Sequence, residues 1–365
     1  MINSTTLERI EIMKITNEMI NEELRPVANL IEKLLPSVLG NDKNSLGMLL
    51  NQDVVNPEEL IKNLNLDDET MKLLTKSGMM SLIASMGDLN GLEYTEKWIP
   101  RKKDSSKLRI CIYSPINKKN NVPGVLWMHG GGYAMGKPEM SVTTYKRLIA
   151  ESSCVIVAPD YRLSVEAPYP AALDDCYDTL LWLKENTKEL GIRDDQIMIG
   201  GESAGGGLTA ALSLYARDKK EVNIAFQMPL YPMIDDRMLN ESAIDNNAPG
   251  WNSTLNEWGW KLYLGELSEK DIPSYAAPSR ATDYRNLPPT VTFVGDLEPF
   301  RDETIQYVEN LKRAGVPVDF QLYKGCYHGF DISCPNADIS KRATKFFIES
   351  FKYAVNNYFA KQIED

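Results

Sequence analysis

From about residue 92 onward the chain alternates short apolar runs with stretches long enough for helices, and this alternation narrows the fold more than any other feature. Short apolar runs bounded by turn residues read as strands buried on both faces. They fall at Arg109–Ser114, Gly124–Met128, Cys154–Ala158, Gln196–Gly200, Ile224–Leu230, Thr290–Val294 and Val318–Tyr323. Helix-like stretches lie between them, at about 140–151, 171–186, 204–217, 301–314 and 338–359. The last carries Ala343, Phe347, Phe351, Ala354 and Tyr358, an apolar stripe for docking on a sheet. Strands and helices in this order make an α/β fold with a mostly parallel sheet and right-handed crossovers. Ligands of such sheets bind at the carboxyl ends of the strands.

Two intervals break the alternation. Residues 1–88 are rich in Leu, Ile, Met, Asn and Glu and poor in Gly. After Pro26, Val27, Leu30, Ile31 and Leu34 repeat at helical spacing until Pro36, where the helix is expected to stop. Met71, Leu74, Leu82 and Met86 suggest another helix after Asp67-Asp68-Glu69. The second interval, 233–270, holds no clean strand and three of the six tryptophans, Trp251, Trp258 and Trp260. It reads as a lid or pocket wall, or equally as a helical excursion packed on its own core. The remaining segments, 89–232 and 271–365, form the α/β core.

Charge and composition remove several function classes. Forty Lys and Arg against 51 Asp and Glu leave a net charge of −11, which argues against a nucleic-acid partner. No apolar run approaches the ~18 residues that span a bilayer. The opening MINSTTLERIEIMK lacks a basic stretch followed by an apolar one, so the expectation is a cytoplasmic chain without a secretory leader. Five scattered cysteines without a CxxC pair read as buried, reduced thiols. Only two histidines are present, so a three-histidine metal site is impossible and any histidine base is His129 or His328.

Gly-Glu-Ser-Ala-Gly at 201–205 follows one predicted strand and opens the next helix. This is the strand–turn–helix context that a nucleophile elbow requires, a turn too tight for side chains at Gly201 and Gly205 and one that exposes the Ser203 hydroxyl; a plain Gly/Ser-rich turn is the competing reading. His129-Gly130-Gly131-Gly132-Tyr133 follows another predicted strand. With two His and 23 Gly, chance gives HGGG on the order of 0.0005 times. Bare glycine backbones can bring N–H groups up to a developing oxyanion. Gly130 and Gly131 are the expected donors, with the Ala204 N–H as the third. Glu202, His129 and Gly132 are expected to support these two motifs. A phosphate-binding loop is the competing reading, but no GK[ST] follows and the spacing does not fit GxGxxG.

With His129 inside the glycine loop, His328, just past a predicted strand end, remains as base to Ser203. The orienting acid falls between Ser203 and His328 in this chain order. The segment 296–303 offers Asp296, Glu298, Asp302 and Glu303. Residue chemistry alone does not separate Asp296, Glu298 and Asp302; Asp302 and Glu303 also suit the first turn of a helix.

HGGGY, GESAGGG, DYRLSVEAPYPAALDD (160–175), EPFRDE (298–303) and YHGF together resemble the hormone-sensitive-lipase-like family of α/β-hydrolase esterases over roughly residues 90–360. The resemblance implies an α/β-hydrolase fold with a helical cap drawn from 1–88 and 233–270. It implies Glu298 as the triad acid, where most members carry Asp, with Asp296 as runner-up. Ser164-Val165 stand where the family's YRLAPE segment has Ala-Pro. The implied activity is serine carboxylesterase action on short- to medium-chain acyl esters, with a small-molecule ester as partner and no metal or organic cofactor. Homodimers are frequent in such a family, but no interface is legible. Amide hydrolysis or acyl transfer by the same triad is the enzymatic alternative. A non-catalytic small-molecule binder on the same scaffold is the other, since plant gibberellin receptors resemble the family without the triad histidine; His328 is the discriminating residue.

Overall fold

The computed structural model describes residues 14–39, 68–77, 88–267 and 270–362. In chain order these form α1 (Arg25–Leu39), α2 (Asp68–Ser77), β1 (Leu92–Pro100), β2 (Lys107–Pro115), β3 (Val122–Met128) and α3 (Val142–Ser152). They continue with β4 (Val155–Pro159), α4 (Ala171–Glu185), β5 (Ile192–Glu202), α5 (Ala204–Lys219), β6 (Phe226–Leu230) and α6 (Ser253–Leu264). The last four are β7 (Thr290–Gly295), α7 (Arg301–Arg313), β8 (Val318–Tyr323) and α8 (Asp338–Asn357).

All eight strands join one sheet in the order β1-β2-β4-β3-β5-β6-β7-β8. The β1–β2 and β2–β4 pairs are antiparallel and the other pairs parallel. Strands β3, β4, β6 and β7 are buried along their whole length, as expected of a parallel sheet covered on both faces. Helices α4, α5 and α7 cover one face, and α3 and α8 the other. Docking α8 places Ala343, Phe347, Phe351 and Ala354 in the main core.

Six of the seven expected strands shift by up to a few residues, and Val318–Tyr323 is unchanged. Strand β5 begins at Ile192, four residues early, because Arg193, Asp194 and Asp195 interrupt the apolar run without breaking the extended backbone. Strand β1 was not legible as a strand. It is an outer strand whose Glu93, Thr95, Glu96 and Trp98 face solvent. Helix α1 continues through Pro36 to Leu39 instead of stopping at the proline. The helix expected through Met71 and Leu74 is α2; Leu82 and Met86 lie outside the described residues. The strand-free interval 233–270 contributes α6.

The strand order turns back on either side of β3, so β3 and β5 flank the topological switch point, where α/β sheets bind their ligands. The HGGG loop leaves β3 there and the Gly-Glu-Ser-Ala-Gly turn leaves β5. The acidic segment follows β7 and the His328 loop follows β8, so all four signals gather on one sheet edge. No helix among the described residues is long and apolar enough to cross a membrane.

Candidate active site

Ser203 sits between β5 and α5 with φ 59° and ψ −118°, a backbone region that L-residues rarely occupy. Its neighbours hold it there. Ser203 N–H donates to Leu230 O at 3.0 Å, and its carbonyl accepts from Met233 N–H at 3.0 Å and Gly207 N–H at 2.9 Å. A Cβ on Gly201 or Gly205 would lie 2.5 or 2.0 Å from the Met128 carbonyl oxygen, so the turn closes only with glycine on both sides.

The His328 Nε2 lies 2.9 Å from Ser203 Oγ, and Nδ1 lies 2.5 Å from Glu298 Oε2. A carboxylate only accepts, so Nδ1 carries the proton and Nε2 takes the hydroxyl hydrogen of Ser203. The imidazole ring is walled by Tyr231 and Phe300, edge to face at 5.1 and 4.9 Å, and by Trp251 at 6.5 Å. The Glu298 side chain is fully buried and its Oε1 accepts Gly295 N–H at 2.8 Å, which fixes the carboxylate plane.

The other acids of the segment face elsewhere. Asp296 accepts Gly325 N–H at 2.6 Å, and burial raises its carboxyl above the usual range. Asp302 accepts Ser242 N–H at 2.9 Å at the start of α7. Glu303 is buried and accepts the Ile234 and Asp235 N–H groups at 2.7 and 3.3 Å, where the chain leaves β6. The structure therefore brings Ser203, His328 and Glu298 together and leaves Asp296 outside.

His129 has the opposite surroundings. It is buried, stacked on Tyr161 at 4.2 Å and 11°, with Nδ1 2.8 Å from Gly130 O. Burial lowers its pKa to about 4, so it is neutral at pH 7. Tyr161 also donates to the His129 carbonyl at 2.8 Å. The segment around Tyr161 is fastened by Asp175, which accepts from both Arg101 (2.7 Å) and Arg162 (2.8 Å).

The glycine loop departs from expectation at one residue. Gly130 N–H donates to Glu202 Oε1 at 3.3 Å, because the Glu202 side chain folds back across the loop, so Gly130 is not an open donor. The N–H groups of Gly131 and Gly132 have no acceptor among the described residues. The Ala204 N–H heads α5 and has no intrahelical partner. Gly131 turns the chain at φ +122°, where a Cβ would stand 2.1 Å from Met135 O. Gly132 is required by a different neighbour: a Cβ there would lie 2.2 Å from the Trp251 indole.

Residues 125–332 match the family model of the α/β hydrolase fold. This chain belongs to the hormone-sensitive-lipase-like α/β-hydrolases. Among its relatives, an arylesterase of Saccharolobus solfataricus is 34% identical over 234 residues, 63% of this chain and 74% of the relative. Esterase LipI of Mycobacterium tuberculosis is 34% identical over 209 residues, 57% of this chain and 65% of the relative. The solved structure of a bacterial heroin esterase superposes with a TM-score of 0.76 at 29% identity, covering 93% of this hydrolase and 99% of that chain.

Tyr161, Trp127, Ser141 and Tyr231 carry no role in the sequence reading, yet Tyr161 bonds the His129 carbonyl, Trp127 and Ser141 bond the Glu202 carboxylate, and Tyr231 walls His328. Tyr161 lay in a segment singled out for its resemblance, which was the available signal. Nothing in the sequence pointed to the other three.

Proposed function

We propose that this carboxylic ester hydrolase works through a Ser203–His328–Glu298 triad. Ser203 Oγ attacks the ester carbonyl while its proton passes to His328 Nε2. Glu298 holds the Nδ1–H tautomer and stabilises the imidazolium that forms. The tetrahedral oxyanion is bound by the N–H groups of Gly131, Gly132 and Ala204; each such donor is worth on the order of 100- to 1000-fold in rate. His328 then protonates the departing alcohol, and a water deprotonated by His328 releases the acid from the acyl-enzyme. The observation that carries this reading is one imidazole bonded at once to Ser203 at 2.9 Å and to Glu298 at 2.5 Å.

A cap drawn from the segments 1–88 and 233–270 is supported by contacts among their described residues. Ile15 and Asn247 join the two segments by reciprocal bonds of 2.8 and 3.2 Å, and Asn21 N–H donates to Gly325 O in the His328 loop at 2.8 Å. Trp251, from the second segment, stands between Gly132 and His328 and restricts the room beside the reacting carbonyl. That restriction suits short- to medium-chain acyl esters. The test is Ser203→Ala, with p-nitrophenyl esters of increasing acyl length as substrates and an alkyl phosphonate as covalent label. The expected outcome is no turnover and no labelling in a variant with an unchanged melting temperature, and wild-type rates that fall with long acyl chains. Turnover at the wild-type rate in Ser203→Ala would overturn the mechanism.

A further inference from the structure

Glu202, the residue before Ser203, is placed by its bonds rather than by solvent. Oε2 accepts the Trp127 indole N–H at 2.7 Å, while Oε1 accepts the Ser141 hydroxyl at 2.5 Å and Gly130 N–H at 3.3 Å. Trp127 belongs to β3, Gly130 to the loop that follows it, and Ser141 immediately precedes α3. One carboxylate at the end of β5 therefore ties down the whole turn that carries Gly131 and Gly132. Gly130 lies flat against it: a Cβ there would be 3.1 Å from Glu202 O and 3.4 Å from Ser203 Cβ.

Resting on the triad reading above, we propose that Glu202 is the positioning residue of the oxyanion loop, taking the Gly130 N–H so that the next two peptide N–H groups turn toward Ser203. The chemistry requires a carboxylate. The Trp127 indole and the Gly130 amide can only donate and they meet different oxygens, so only a group that accepts on both satisfies them. A glutamine at 202 would set its amide N–H against the Trp127 N–H or, turned over, against the Gly130 N–H. Burial raises the Glu202 carboxyl and its three donors oppose that rise. A negative charge this close to a forming oxyanion is in itself unfavourable, so charge alone predicts that Glu202→Gln speeds the reaction, whereas positioning predicts that it slows it.

The experiment compares wild type, Glu202→Gln and Ser141→Ala. It reads kcat and KM for p-nitrophenyl acetate, the rate of Ser203 phosphonylation by an alkyl p-nitrophenyl phosphonate, and inhibition by an aryl trifluoromethyl ketone, whose adduct carries an oxyanion. For Glu202→Gln, kcat and the phosphonylation rate should fall by about 10- to 100-fold, and the ketone should weaken in proportion. KM and the acid-limb pKa of kcat/KM should stay near wild type. Ser141→Ala should show the same pattern at about 3- to 10-fold, and it decides the question if the glutamine variant fails to fold. Rates within about twofold of wild type in a folded Glu202→Gln, or a shifted acid limb with unchanged ketone inhibition, overturn the proposal. If wild type is phosphonylated at Ser203 but turns over no ester, the ester-hydrolysis reading fails, and the ratio of labelling rates still decides the role of Glu202.

Discussion

The loop after β3 and the loop after β8 each carry one of the only two histidines in the chain, and the two environments are opposite. His129 lies flat on Tyr161, is sealed from solvent and is bonded through Nδ1 to the carbonyl of the next residue. His328 keeps 11% of its side chain exposed and has a donor on one nitrogen and a carboxylate on the other. A base must gain and release a proton, so it needs a partner that stabilises the cation. His328 has one in Glu298; His129 has burial, which opposes the cation. On the proposed mechanism, identical side chains thus serve as a structural plate in one loop and a proton carrier in the other.

Paired substitutions test that contrast most severely. His328→Asn should lower kcat by about 10,000-fold while leaving the fold intact. His129→Asn should cost about 10-fold, through disturbance of the glycine loop rather than loss of a base. Steady-state rates on p-nitrophenyl acetate check both, and equal losses would erase the distinction between the loops. Next in size is the acid. Glu298→Gln should lower kcat by about 1000-fold, because the Gly295 N–H holds the amide oxygen and turns the amide NH2 toward Nδ1, which disfavours the Nδ1–H tautomer. Asp296→Asn should stay within about threefold, since its carboxylate meets backbone N–H groups of the loop and the Arg301 charge rather than His328. A larger loss from Asp296 would make it, and not Glu298, the partner of the base.

Much of this was legible in the sequence because it rests on local rules. The buried parallel strands are continuous apolar runs, and the strand-turn-helix around Ser203 is spelled by Gly201 and Gly205. What stayed hidden depends on how side chains fold back through space. Asp296, Glu298 and Asp302 lie within seven residues of one another, and only the turn after β7, which gives Gly295 N–H to Glu298, decides which reaches His328. Gly130 is as good a donor as Gly131 by composition. It is withdrawn by a contact with Glu202, which lies 72 residues away in the chain. Strand β1 was missed because an outer strand keeps charged residues such as Glu96, which pairs with Arg109 at 2.8 Å.

The contrast also has a pH signature. The folded pKa of His129 is about 4 against an ordinary 6.5, so between those values the unfolded chain binds the extra proton. The stability due to this residue is therefore complete above pH 6.5, falls as pH drops toward 4, and changes no further below that. The shift corresponds to roughly 3 kcal/mol in all. Asp331, raised to about 6 by burial, works in the reverse sense, its contribution being complete below its ordinary pKa and lost as pH rises through 6. The wild-type curve alone therefore mixes the histidine with Asp331 and the other buried carboxyls, Glu202 and Asp296 among them. The difference between wild type and His129→Asn, from urea unfolding at pH 4 to 7, isolates the histidine. It should grow with pH across that window, and a flat difference would mean that His129 is not held neutral by the fold.

The smallest effect separates the stack from the hydrogen bond. Tyr161→Phe keeps the ring over His129 and removes the hydroxyl that donates to the His129 carbonyl at 2.8 Å. That carbonyl lies at the root of the glycine loop, just where the chain leaves β3. Losing one buried neutral bond should cost about 1 kcal/mol, read as a lower urea midpoint with an unchanged slope. Because the ring still excludes water, the pH dependence of the difference between Tyr161→Phe and Tyr161→Phe/His129→Asn should match that between wild type and His129→Asn. If instead the phenylalanine variant lets His129 protonate near pH 6, the hydroxyl rather than the stack keeps this histidine out of acid–base chemistry.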